Sequence, residues 1–163
     1  MPLLSFDALP DDARVWVFAS GAPLGAEAEG ELLTAVDTFL AQWKAHGAPL
    51  TVGRDWSEHR FLTIGVDISQ EAASGCSIDG LFRVLRGLES TVGTTLVAGG
   101  TVYYRDAAGD VVAVDRETFS ERGARGEVTT ETPVFDLTVA SAADRRGRFE
   151  TVAGNTWHRS LLP

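Results

Sequence analysis

Arg60-Phe61-Leu62-Thr63-Ile64-Gly65-Val66-Asp67-Ile68 alternates with a period of two, placing Leu62, Ile64, Val66 and Ile68 on one side and Phe61, Thr63, Gly65 and Asp67 on the other. That period marks a strand whose two faces differ. Upstream, Leu50 to Trp56 reads as its hairpin partner, joined through the polar turn Ser57-Glu58-His59. Before it, Leu32, Val36, Phe39 and Trp43, with Leu33 and Leu40, recur at helical spacing from about Ala26 to His46. Gly47 and Pro49 stop that helix. Arg14-Val15-Trp16-Val17-Phe18-Ala19, closed by Ser20-Gly21-Ala22-Pro23, supplies an earlier strand. Downstream, Ile78, Leu81, Phe82, Leu85 and Leu88 repeat the helical spacing until Gly93, and Thr101 to Arg105 gives the next strand.

The order strand, helix, strand, strand, helix, strand is the split βαβ plan of a ferredoxin-like α+β fold, with one antiparallel sheet and both helices on one face. Residues 1–105 are expected to form that core and residues 106–163 a small lobe packed on it, with the Gly-rich stretch Gly93 to Gly100 as the seam. The lobe reads as a hairpin across Asp106-Ala107-Ala108-Gly109, a short helix from Asp115 to Arg122 and a strand from Pro133 to Ala140. In this plan Val15 and Val17 face the helices with Leu62, Ile64 and Val66. Trp16, Phe18 and Phe61 then form an aromatic patch on the other face, a possible interface. The lobe, through Phe135 or Trp157, a second copy of the chain, or stacked RNA bases are the three covers considered.

A chain of 163 residues, 44% apolar and 23% charged, is long enough for one buried core. One cysteine forms no internal disulfide, which fits a reducing compartment and a cytoplasmic location. Met1-Pro2-Leu3-Leu4-Ser5-Phe6-Asp7 has no basic leader, and no segment is long enough to span a bilayer, so no membrane role is expected. The net charge of −9 repels phosphate backbones, disfavouring nucleic acid and the RNA platform. Arg145-Arg146-Gly147-Arg148, flanked by Asp144 and Glu150, reads as solvated surface. No G-x-x-x-x-G-K-[ST] pattern occurs, and the sole lysine, Lys44, lies late in the first helix, so this is not a P-loop ATPase. His46, His59, His158 and Cys76 lack the short paired spacings of zinc sites, and no metal or cofactor is expected.

Chemistry concentrates at Ser74-Gly75-Cys76-Ser77-Ile78-Asp79, between a strand and a helix. The topology brings the end of the first helix and the start of the second to the same edge of the sheet, so His46 is the expected neighbour of Cys76. His59 lies at the opposite end. A thiol at a helix N-terminus, with His46 as base and Asp79 to orient it, is the logic of an activated nucleophile. The competing reading makes Cys76 a small semi-buried residue, Ser74 or Ser77 the N-cap, and Asp79 and His46 complements to helix dipoles. Together these features point to a non-catalytic binding or assembly module that uses its sheet face or its lobe to engage a protein partner or a second copy. A thiol-dependent enzyme or redox sensor is the alternative.

Trp43-Lys44-Ala45-His46-Gly47, Arg60-Phe61-Leu62, the segment Ser74 to Asp79, Thr132-Pro133-Val134-Phe135 and Thr156-Trp157-His158 together resemble an uncharacterised bacterial family whose members are sometimes labelled ABC transporter ATPase. The resemblance runs over most of the chain and implies no activity, cofactor or catalytic residue, while the missing Walker motifs contradict the label. The stretch from Tyr103 to Val139 is also similar to small GYF-type modules that bind partners.

Overall fold

Hydrophobic period selects the elements of this chain, and turn chemistry sets their ends. A computed structural model describes residues 3–163, so the part of the leader reading that rests on Met1 and Pro2 lies outside the described residues. The chain runs through β1 (Leu3–Ser5), β2 (Arg14–Ala19), α1 (Ala26–Ala41), a two-residue hairpin β3 (Lys44–Ala45) and β4 (Ala48–Pro49), β5 (Val52–Ser57), β6 (Phe61–Val66) and α2 (Gly75–Val92). It continues through β7 (Thr101–Arg105), β8 (Val111–Asp115), α3 (Arg116–Ala124), β9 (Pro133–Phe135), α4 (Ala142–Arg148) and β10 (Glu150–Val152) to a 3-10 turn at Trp157–Leu161. The class is mixed α+β.

Helix α2 starts on a reciprocal cap: the Ser74 hydroxyl accepts the Ser77 N–H while the Ser77 hydroxyl accepts the Ser74 N–H. It ends at Gly93, left-handed at φ 79°. Helix α1 stops earlier than its apolar spacing predicts. Trp43 keeps the helical period but leaves the helix, because its indole N–H donates to the buried Ser77 carbonyl at 2.8 Å. His46 and Gly47 then reverse the chain at φ 52° and 80°, both left-handed as a primed two-residue hairpin turn requires. Glu58 and His59, also left-handed at φ 57° and 54°, begin the three-residue turn that Arg60 closes between β5 and β6. An ion pair of Glu58 with Arg105 (3.3 Å) and a hydrogen bond between His59 Nδ1 and Glu29 (2.8 Å) hold it down.

The first sheet has the order β1-β5-β6-β2, with β5, β6 and β2 antiparallel in succession and β1 parallel to β5. The second has the order β10-β9-β7-β8 and is antiparallel throughout. Two expectations are therefore corrected. Thr101–Arg105, read as the fourth strand of the first sheet, pairs instead with β8 along its whole length and with β9 at Tyr104↔Val134. The sheet gains its fourth strand at the opposite edge, from Leu3–Ser5. The strand read from Pro133 to Ala140 covers only Pro133–Phe135. Asp136 then turns the chain by accepting the Thr138 N–H at 2.9 Å and the Thr138 hydroxyl at 2.5 Å.

The layers run from helices to first sheet to second sheet to α3 with the terminal turn. Leu62, Ile64 and Val66 pack under Leu32, Val36, Leu40, Leu81 and Leu85, as their alternation predicts. The faces of β2 are the reverse of those expected. Its register, Trp16↔Ile64 and Phe18↔Leu62, puts both aromatics on the helix side, Trp16 6.2 Å from Trp43 and Phe18 5.3 Å from Phe82. Val15 and Val17 turn to the lobe. Phe61 does face away from the helices, and the layer of the second sheet covers it completely: Phe135, Phe149 and Tyr103 lie 4.7, 5.2 and 5.3 Å from its ring. The amino-terminal segment packs on the same face so closely that a Cβ at Gly65 would meet Leu9 Cδ1 at 2.5 Å.

Arginines bolt the layers together. Arg145 of α4 reaches across to Thr63 Oγ1 (2.7 Å) and Asp55 Oδ2 (2.9 Å) while covering the Phe149 ring. Arg146 donates to the Phe6 and Leu9 carbonyls and to Asp11. Arg105 forks onto Glu150. Arg145 and Arg146 thus clamp α4 to the first sheet and the amino-terminal segment, while Arg148 stays exposed and pairs with Asp144 on its own helix. Since Phe61 is fully enclosed by both layers, Phe61→Ala should lower stability by about 3–5 kcal/mol. Urea unfolding followed by far-UV circular dichroism measures this, and a loss below about 1 kcal/mol would mean that the two sheets do not share a core.

Candidate functional site

Because β7 joins the second sheet, β2 becomes an edge of the first, and its backbone alternates between two partners. Even-numbered residues turn to β6, as the Ser20 N–H does in continuing that side to the Arg60 carbonyl at 2.8 Å. Odd-numbered residues turn outward. At one end of this outer edge the Val15 N–H donates to the Ala140 carbonyl (3.0 Å) and the Ala142 N–H to the Ala13 carbonyl (2.9 Å). At the other, the Gly21 N–H donates to the Thr95 carbonyl at 2.9 Å. A Cβ at Gly21 would come within 2.7 Å of the Thr95 hydroxyl, so glycine lets that end close. Between the two closures, the Val17 and Ala19 N–H groups and the Val15, Val17 and Ala19 carbonyls have no hydrogen-bond partner among the described residues.

This open edge forms the floor of a groove of about 440 Å³. One wall is Leu96 to Gly100, held by the Glu89 carboxylate, which accepts the Leu96 and Val97 N–H groups at 2.6 and 3.1 Å. The other wall is Leu137 to Ala140, and Tyr103, Phe135 and Trp157 contribute from the lobe. Its cations are Arg14, 4.8 Å above the Trp16 ring, and Arg116, 4.9 Å above the Trp157 ring. No aspartate or glutamate lines it, and neither arginine has a carboxylate partner among the described residues. Arg60 lies outside the groove, 5.6 Å from the Tyr103 ring. It is buried with Nε and Nη1 unbonded, and burial pulls its pKa down.

No protein-family model, curated protein or solved structure matches this chain. The groove must be read from its own chemistry: an apolar trough, a row of unused main-chain groups, and positive charge in a chain of net charge −9.

Cys76 lies elsewhere. It is exposed in the first turn of α2 and makes no hydrogen bond with His46 or Asp79 among the described residues. The ends of α1 and α2 do meet, but through Trp43 and Ser77, while His46 sits exposed on the tip of the β3–β4 turn. Asp79 is exposed on α2. Of the aromatic trio, Trp16 and Phe18 line the groove, whereas Phe61 is sealed inside. Arg14 and Arg116 escaped the sequence reading, and Val17 was placed on the helix side, since nothing local marks β2 as an edge. Thiol reagent should label Cys76 in the native protein without denaturant, and Cys76→Ser should leave the urea midpoint within about 0.5 kcal/mol of stability. A cryptic thiol or a larger loss would contradict this placement.

His158 supports the groove from behind. Its ring stacks on Trp157 at 4.0 Å, and Nδ1 lies 2.6 Å from the Thr156 hydroxyl. Burial holds it neutral, lowering its pKa from 6.5 to about 4; Arg116 acts the same way and Asp136 opposes. The unfolded chain therefore binds the extra proton first. The resulting stability is complete above about pH 6.5 and is lost as pH falls towards about 4. Between pH 7.5 and 5.5 that loss should be about 1 kcal/mol. Urea midpoints of the native protein and of His158→Gln across this range test it: the variant should lack this part of the slope, and equal slopes would refute the assignment.

Proposed function

We propose that this chain is a non-catalytic binding module whose ligand site is the groove along the outer edge of β2, at the seam between the first sheet and the lobe. One observation carries the reading: unpaired main-chain donors and acceptors lie in an apolar trough that holds two arginines and no acidic side chain. Its volume falls in the range of sites that enclose a ligand, with a few polar groups set in apolar walls. A reactive centre would bring a nucleophile, a base and an orienting group within hydrogen-bonding reach. Groove chemistry of that kind is not what these residues offer. In this reading the chain is a departure from the ferredoxin-like plan, with the site at the edge where that plan would set its last strand. The GYF-type likeness of the stretch from Tyr103 to Val139 fits a binding role, and an exposed unpaired thiol fits a reducing cytoplasm.

The apolar anion 8-anilinonaphthalene-1-sulfonate, which matches both walls and cations, is the probe. It should bind the native protein saturably at one site, quenching tryptophan emission because Trp16 and Trp157 line the groove. Arg116→Ala should weaken that binding about tenfold. Absence of saturable binding under native conditions would remove the groove as a ligand site.

A further inference from the structure

We propose, building on that reading of the groove, that its occupant is an extended, acidic and partly apolar peptide segment of another protein, which adds to the first sheet as a fifth strand along β2. The main chain carries the argument. Val15 C=O, Val17 N–H and C=O, and Ala19 N–H and C=O point outward from alternate residues, so they repeat about every 6.6 Å, the two-residue rise of a strand. A small organic ligand with one polar end meets one of these groups. An extended backbone meets them all, which is the physical basis of recognition by strand addition.

The walls agree with a strand, because they supply pockets on both faces of the open edge. Trp16, Phe18 and Phe82 lie on the helix side, and Val17, Tyr103 and Leu137 on the lobe side. Alternate side chains of an added strand project to opposite faces and would fill the two sets in turn. The closures at Ala140 and Thr95 limit the length: they cap β2 at Val15 and Gly21, leaving room for a paired stretch of about four or five residues.

Charge selects the sequence. Arg14 and Arg116 are uncommitted, and the groove has no acid to repel a carboxylate. The chain as a whole carries a net charge of −9, so its general field repels an acidic peptide while Arg14 and Arg116 attract one at this edge. The same charges disfavour a second copy as occupant, since apposed β2 edges would bring cationic grooves together.

The test pans a displayed library of random heptapeptides on the full chain and follows the selected peptide, made with blocked termini, by three measurements. Selected sequences should carry Asp or Glu beside alternating apolar residues. Their binding should weaken about tenfold in a doubly substituted Arg14→Ala, Arg116→Ala protein whose melting temperature is unchanged. Amide exchange at Val17 and Ala19 should slow at least tenfold on binding. N-methylation of alternate peptide amides should abolish binding in one register and leave it in the other. The proposal is overturned by a selected peptide that leaves those two amides unprotected or tolerates methylation in both registers. It is equally overturned if the anilinonaphthalene probe binds and no peptide is selected, which would leave a small-molecule groove, or if dilution of the free protein exposes amides already protected by a second copy. If neither probe nor peptide binds, the groove reading falls with it.

Discussion

Everything in this molecule depends on burying the face of the first sheet that turns away from its helices. Phe61 sits at the centre of that face, with no exposed surface, ringed by Tyr103 of β7, Phe135 of β9 and Phe149 between α4 and β10. A sheet with one helical layer leaves its second face in water, and a face carrying Phe61, Val15 and Val17 is too apolar for that. The second sheet is the answer to this constraint. Dispersion and the hydrophobic effect set the contact, and the arginines fix its register: Arg145 alone ties α4 to Thr63 and Asp55 on adjacent strands.

That solution determines the topology. Tyr103 belongs over Phe61, so β7 must lie in the covering layer and is lost to the sheet that a βαββαβ plan would have it complete. Two consequences follow. The β5 edge is protected by β1, while the β2 edge is sealed only at its ends, by Ala140 and Thr95. Unsealed edge groups are a hazard that proteins normally blunt with charge, a bulge or a covering segment. Here the open stretch is recessed between two loops, with Arg14 at the start of β2 itself and Arg116 on α3. Recessing restricts access to a narrow extended chain while keeping the main-chain groups available.

How much of this was legible in the sequence varies with the physics of each element. The alternation in β6 put Leu62, Ile64 and Val66 under the helices, and the spacing in α2 gave its buried stripe, although β6 ends at Val66 and Ile68 is exposed. In β2, Val15, Trp16, Val17 and Phe18 are apolar on both sides, so period alone cannot say which pair meets the helices; the register Trp16↔Ile64 decides it. The helical spacing that carries through Trp43 misplaced the end of α1, because tertiary hydrogen bonding to Ser77 outweighs local propensity. Leu3–Ser5 is too short to announce itself as a strand. The groove was invisible for a deeper reason: it is made by the absence of a strand, and only the long-range choice of β7 creates it.

The fate of the arginines gives the last step. In the run Arg145-Arg146-Gly147-Arg148, which reads as surface charge, Arg148 does pair at the surface with Asp144 on its own helix, whereas Arg145 and Arg146 reach Asp55 and Asp11 on other segments. Charge committed in this way fixes the fold and is unavailable for recognition. Arg14 and Arg116 differ in kind: each lies over a tryptophan that lines the groove, which holds the guanidinium plane without neutralising it. Stacking of this sort orients a cation at little cost in rotamer entropy on binding and leaves its donors free for a carboxylate. In a chain with 23 acidic residues against 14 basic ones, an arginine left without an acidic partner beside an open strand edge is where selectivity for an acidic, extended ligand can arise.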